Sequence, residues 1–334
     1  MYFVLGLSIV LAALLLCNSG TSLVAALTWR IVGQRAVSRL SASSCASIVF
    51  LLRTFPIVLG IVCVCILLIP AYIEHEPRDA HEPVSLKLAL LACASGIGLA
   101  LALFRGLAAW RATSRLNSDW LRHAEPIELP QVRIPSYRIK HQFPVIAIVG
   151  VLRPRLFIAD QIFNSLGHEE LMAAIEHEAG HVIANDNFRR GVMRACHDVL
   201  VMIPSGRFLD RAWVEASEAA ADEYAAGRGR RVALDLASAL VKIARLVPQG
   251  LKPAMPAGAF LIGVEEVCGV KTRVRRLVQL ADDCRVRRGR ALISRIPLWI
   301  PIVLTIFVAA IAANEPHVLA SVHSLIEESV HLLS

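Results

Sequence analysis

The sequence has 334 residues, 56% of them hydrophobic, and a formal net charge of +8. A soluble domain of ordinary usage is about 45–50% apolar, and here the excess falls in blocks, which argues against a wholly soluble globule. The basic balance would suit a nucleic-acid binder or the basic cytoplasmic loops of a membrane protein. Its uneven distribution selects the second, and no direct nucleic-acid contact is expected.

Four apolar runs stand out in chain order, at about residues 2–27, 55–72, 88–104 and 296–313. A helix crossing a bilayer needs about 17–25 apolar residues, so the expected architecture is a mainly α membrane protein with four transmembrane helices. Three lie within 1–110, and the fourth precedes a short tail, 314–334. No basic residue precedes the first run, so it does not look like a cleavable signal peptide. Asn18, Ser19, Thr21 and Ser22 interrupt that run, so its second half is expected to contact another helix. The eight cysteines show no disulfide framework and are expected to be reduced.

Loop charges give the orientation. The first loop holds Arg30, Arg35 and Arg39 and no acid, while the second holds Glu74, Glu76, Asp79 and Glu82 against Arg78 alone. Residues 111–295 carry 28 Lys or Arg and 20 Asp or Glu, and the tail carries only acids. Basic residues collect on the cytoplasmic side. The first loop and the 111–295 domain are therefore expected in the cytosol, with both termini and the second loop outside.

The 111–295 segment opens helically, turns proline-rich at Pro126, Pro130 and Pro135, and then carries two short apolar runs, Val145–Val149 and Leu156–Ala159. These are expected to pair as strands. Helices are expected at about 168–184, 187–202, 211–227, 231–246 and 264–283. Pro248, Gly250, Pro253, Pro256 and Gly258 mark an irregular loop before the last.

His177-Glu178-Ala179-Gly180-His181 is an H-E-x-x-H motif. Positions four apart on a helix differ by about 40°, so both imidazoles leave one face and can reach a single zinc. Glu178 is offset from that face and suits a base acting on a water in the metal's open position. Downstream, Glu218 and Asp222 form E-x-x-x-D on an alanine-rich helix. A catalytic zinc takes three protein ligands and one water. Glu218 would be the third ligand, with Asp222 orienting an imidazole through its other nitrogen; Glu215 is the rival third ligand. Asp186, five residues after His181, would support a ligand or cap the next helix, and His197 is a candidate to polarise a carbonyl. Val145, Ile146, Ala147, Ile148 and Val149 could form an edge strand that binds an extended peptide through main-chain hydrogen bonds, or a plain structural strand. Arg285, Arg287, Arg288 and Arg290 before the last run suit membrane anchors or an anionic-lipid contact.

The stretch 144–222 resembles the integral-membrane metallopeptidases of the BlaR/MecR type, the signal-transducing proteases of bacterial beta-lactam resistance. The matching pieces are Gly150-Val-Leu-Arg-Pro-Arg-Leu-Phe-Ile-Ala, His177-Glu-Ala-Gly-His-Val, Asp186-Asn187, and Glu218 with Asp222; Arg273-Val-Arg-Arg-Leu is a weaker match. The resemblance implies a multi-pass protein of the bacterial inner membrane with a cytosolic α+β, gluzincin-like domain. It implies a zinc cofactor with His177, His181 and Glu218 as ligands, Glu178 as the base, and an antirepressor-like role in signal transduction. The substrate would be a protein or peptide, such as a cytosolic repressor or the chain itself. Those receptors carry a penicillin-binding sensor domain after the fourth span. About twenty residues follow it here, too few for an independent core, so beta-lactam binding is not expected. Apolar tail residues at helical spacing suggest an amphipathic helix on the outer membrane surface. Two rivals remain at this level: a quality-control protease of the HtpX type, and a non-enzymatic receptor or scaffold with a vestigial metal site.

The charge pattern predicts that reporters fused after Arg39 and after Arg245 read as cytosolic, and one after Asp79 as external. A periplasm-active reporter at 245 would reverse the orientation and remove cytosolic repressors as substrates.

Overall fold

The computed structural model describes residues 1–77, 83–129, 132, 134–199, 205–246, 267–282 and 299–333. The irregular loop at 248–258 and the arginines at 285–290 lie outside these residues. The protein is mostly helical. Three helical stretches are long and apolar enough to cross a membrane: Tyr2–Gly33, Ala42–His75 and Leu86–Arg122. Trp299–Ala313 and the tail helix pass the same test only as a pair, bent by 95°.

The spanning helices are longer than their apolar runs. Helix α1 is Tyr2–Arg39, and α2 (Ala42–Val62) continues through a π-helical turn, Cys63–Leu68, into α3, Ile69–His75. Helix α4 is Leu86–Arg122. At 1.5 Å per residue, α1 and α4 each reach roughly 55 Å, against about 30 Å of hydrocarbon. Polar ends thus extend past any bilayer core and become packing surfaces. Serines set the starts: Ser41 Oγ accepts from the Ser44 N–H at 3.2 Å, and Ser85 Oγ from the Leu88 N–H at 3.2 Å.

Between α4 and the metal-motif helix lies a four-stranded sheet of order β1-β2-β4-β3, formed by Glu125–Ile127, Ser136–Ile139, Ile146–Val149 and Arg155–Ala159. β3 and β4 are antiparallel, with Ile146 opposite Ile158 and Ile148 opposite Leu156, while β2 and β4 are parallel. One sheet face, with Ile146, Ile148, Leu156 and Ile158, joins the main core under the helices. The other, with Ile139, Val149 and Phe157, packs on Leu116, Trp120 and Leu121 of α4. β3 is therefore buried at every position although it is an edge strand. Gly150 ends it at φ +106, where a Cβ would lie 2.7 Å from the Arg153 carbonyl oxygen. Only glycine suits that turn.

Helices α5 (Asp160–Ser165), α6 (His168–Ala184), α7 (Asp186–Val199), α8 (Ser205–Ala226), α9 (Arg230–Leu246) and α10 (Val267–Asp282) follow. Helix α8 has two packing faces. Leu209, Trp213 and Ala216 enter a cluster with Ala25, Ala26 and Trp29 of α1 and Cys45, Ala46 and Val49 of α2, while Ala225 and Ala226 enter the sheet-side core. Arg53 of α2, 2% exposed, pairs with Asp210 of α8 at 3.0 Å. Removing one partner would leave a buried charge, which typically costs about 3–5 kcal/mol.

The last two helices are α11, Trp299–Ala313, and α12, Pro316–Leu333. The tail is helical. It turns back on the protein, placing Val322, Ile326 and Val330 with Leu5, Ile9, Tyr72 and Leu88.

Candidate metal centre

Helix α6 carries His177, Glu178 and His181, all nearly fully buried. The helix ends at Asn185, which adopts the left-handed conformation at φ 55 and ψ 39. Asparagine tolerates that conformation better than most residues. The turn brings Asp186 back, so that its Oδ2 lies 2.7 Å from His181 Nδ1. Asp186 is also the first residue of α7, so the site for which two roles were open has the imidazole contact.

Gly180 lets α8 approach. A Cβ there would lie 3.1 Å from the Ala221 Cα, so the small residues inside H-E-x-x-H and on α8 permit a near backbone contact. That contact carries Glu218 and Asp222 to the two imidazoles. Asp222 Oδ1 is 3.0 Å from His177 Nδ1. Each ring thus has a carboxylate at Nδ1, and the two Nε2 atoms turn toward each other and toward Glu218, with Arg273 Nη2 also 3.3 Å from His177 Nε2.

The Nε2 atoms lie 3.2 Å apart, and each is 3.6 Å from a Glu218 carboxylate oxygen. Bonds of about 2.0–2.1 Å to a tetrahedral zinc would separate ligand atoms by about 3.3–3.4 Å. His177, His181 and Glu218 are the one such group among the described residues. Glu215 is exposed and stands outside it. The side chain of His197 lies outside the described residues.

Glu178 is 1% exposed, and neither of its carboxylate oxygens has a hydrogen-bond partner among the described residues. Burial pushes its carboxyl up to about 8. A buried polar group without partners is costly, and this one adjoins three groups able to hold a cation. The donor set of two imidazoles and one carboxylate, with an adjacent unsatisfied carboxylate, fits zinc chemistry.

One residue was missed as a site group. Arg273 on α10 donates from Nη1 to Glu218 Oε2 at 2.8 Å, from Nη2 to Asp222 Oδ1 at 2.7 Å and from Nε to Asp222 Oδ2 at 3.0 Å. Burial would raise the Glu218 carboxyl, but Arg273 first, and then the His177 hydrogen bond, hold it well below the usual carboxylate range. The only sequence signal was Arg273-Val-Arg-Arg-Leu, whose pairing with α8 spans 51 residues.

Beside His181 opens a cleft of about 140 Å³ between the β3–β4 turn and the α6–α7 corner, lined by Ile148, Gly150, Leu152, Asp186 and Phe188 among others. The Val145 carbonyl accepts from the Ala159 N–H at 2.8 Å. By antiparallel alternation, Ile146 and Ile148 then turn their backbone groups away from β4. Asn187 Nδ2 donates to the Ile148 and Gly150 carbonyls, both at 3.0 Å, and so fixes this edge beside the metal helix.

No protein-family model matches the chain, and no curated protein matches its sequence.

Purified protein is expected to hold about one zinc per chain by elemental analysis. Unchanged zinc in a His177→Ala, His181→Ala double variant would rule this site out. The metal-free protein yields a second expectation. Because the folded-state pKa of Glu178 is raised from 4.5 to about 8, the folded state holds that proton more tightly than the unfolded chain does. The associated stability is complete below about pH 4.5 and is lost as pH rises through about 8. Metal-free Glu178→Gln should therefore gain thermal stability over wild type progressively across this window. An advantage that does not grow with pH would contradict the burial of an uncompensated carboxylate.

Proposed function

We propose that this protein is a membrane-integral zinc endopeptidase that cleaves polypeptide on the cytosolic side of a bacterial inner membrane. The observation that carries this is the meeting of His177 Nε2, His181 Nε2 and the Glu218 carboxylate beside the buried, unpartnered carboxylate of Glu178. The H-E-x-x-H helix, the Glu on a following helix and the adjoining sheet support a gluzincin-like domain. Zinc, when bound, supplies a Lewis acid that polarises the scissile carbonyl and acidifies the attacking water.

The chain's own residues do the rest. His177, His181 and Glu218 hold the cation, with the rings oriented by Asp222 and Asp186. Glu178 takes the proton of the water that attacks the carbonyl carbon and delivers it to the leaving amine nitrogen, so one carboxylate serves both halves of the reaction. The cleft beside His181 is where a substrate would approach, and its wall shields part of the site from water, while β3, buried at every position and with the Ile148 carbonyl accepting from Asn187, serves as a structural strand.

The similarity to BlaR/MecR-type proteases supports a regulated cut in a cytosolic repressor or in the chain itself. The loop charges support the cytosolic placement. A second reading, membrane-protein quality control, draws on the packing of the ligand helix α8 directly along α1 and α2, which keeps the site close to the membrane. Comparing new protein termini in cells with wild type and with Glu178→Gln would separate one dominant cut from many.

Glu178→Gln is expected to lower proteolysis in membranes by at least about 10²–10⁴-fold while zinc stays bound. Glu218→Gln should lose zinc and activity together, and Glu215→Gln should change neither. Wild-type cleavage by the Glu178→Gln protein would defeat the protease mechanism.

A further inference from the structure

We propose that Arg273 is a positioning residue of this metal centre, its planar guanidinium holding Glu218 and Asp222 in the geometry that ligation requires, so that α10 is part of the site. The proposal rests on the metallopeptidase reading and deepens it.

Glu218 and Asp222 stand one helical turn apart on the same face of α8, and Asp222 is fully buried. With Glu178 and Asp186, four carboxyl groups surround two imidazoles. Like charges at this spacing repel, and that repulsion is poorly screened away from water. Left alone, Glu218 would relieve it by rotating off the imidazoles, and so would Asp222. Either outcome removes a ligand or the group that orients one.

Arg273 prevents both. Its Nε and Nη2 grip the two oxygens of Asp222 at 3.0 and 2.7 Å, which fixes the carboxylate plane. In that plane Oδ1 also faces His177 Nδ1 at 3.0 Å, and this orients the ring. The third donor, Nη1, takes Glu218 Oε2 at 2.8 Å and leaves Oε1, 3.6 Å from His181 Nε2, to turn toward the cation. One guanidinium thus sets Glu218 directly, and His177 both through Asp222 and through its own Nη2, 3.3 Å from His177 Nε2. A lysine could supply the charge but not the fork, since its ammonium is a single compact point.

The tie comes from outside the signature helices. Helix α10 meets α8 a second time where Arg276 pairs with Glu223, whose other oxygen accepts from the Ala42 N–H at 3.0 Å. That pair joins the same two helices without touching any ligand, and it therefore serves as the control.

The experiment uses the purified full-length chain with Arg273→Lys, Arg273→Gln and Arg276→Gln variants. Zinc affinity is measured by chelator competition, and ligand geometry by the visible absorption of the cobalt(II)-substituted protein. We expect both Arg273 variants to lose about 10–100-fold in zinc affinity, the usual scale for groups that orient ligands. Their cobalt spectra should change, while Arg276→Gln keeps both properties. Zinc affinity and cobalt spectrum like wild type in Arg273→Lys would show that charge alone suffices and overturn the proposal. Undiminished affinity in Arg273→Gln, or an equal loss in Arg276→Gln, would overturn it as well. If Arg273→Gln fails to fold, Arg273→Lys against Arg276→Gln still decides. Folded wild type that binds neither zinc nor cobalt would instead overturn the metallopeptidase reading on which this rests.

Discussion

The close approach of α6 and α8 at Gly180 and Ala221 is the constraint on which the site depends. An H-E-x-x-H helix by itself presents two imidazoles and a neighbouring carboxylate, which is an incomplete ligand set. The third ligand must come from another helix, and its carboxylate can reach only about one side-chain length. A Cβ at Gly180 would sit 3.1 Å from the Ala221 Cα, so a larger residue at either position would push α8 outward. Ligand atoms would then separate beyond the spacing a single zinc tolerates.

Helix α8 also links this centre to the membrane-spanning part. Its first turns pack against α1 and α2 through Leu209 and Trp213 and are pinned by the buried Arg53–Asp210 pair. Its later turns carry Glu218 and Asp222, and Glu223 meets the start of α2. Because α1 and α4 run well beyond the length of a hydrocarbon core, the core of sheet and helices is assembled on their ends. Trp120 of α4 lies against Phe157 of the sheet with ring centroids 5.1 Å apart. Domain and spans therefore share packing clusters, and a displacement of a span would be felt along α8.

The electrostatic arrangement balances crowded acids. Four carboxyl groups stand around His177 and His181, and three of them have protein partners: Asp222 with His177 and Arg273, Asp186 with His181, and Glu218 with Arg273. Glu178 alone has none among the described residues. In a low-dielectric site an unpaired carboxylate is costly, and groups left in that state cluster at functional sites. The same burial that raises its pKa makes it a stronger base than an exposed glutamate.

The sequence by itself determined the elements whose signals are local. The first three apolar runs marked the three helices long and apolar enough to cross a membrane, while the fourth reaches that length only together with the bent tail helix, because hydrocarbon demands nonpolar side chains on a backbone whose own groups pair within the helix. The i, i+4 spacing placed His177 with His181 and Glu218 with Asp222, because helical periodicity does not depend on the rest of the chain. The strand pair at Val145–Val149 and Leu156–Ala159 was legible for the same reason. The tertiary structure decided what depends on contacts distant in sequence. Strands β1 and β2 were not read, since three or four residues among prolines carry too weak a pattern, and the parallel pairing of β2 with β4 supplies their stability. Glu218 rather than Glu215 faces the imidazoles because the packing of α8 on α6 sets its rotation. The continuation of α1 and α4 past their apolar runs followed from surfaces that the soluble core covers. Arg273 carried only the weak signal of Arg273-Val-Arg-Arg-Leu, which did not mark it as a site group. An arginine in a basic helix reads as a solvated charge until folding sets it against two buried carboxylates on a helix more than fifty residues away.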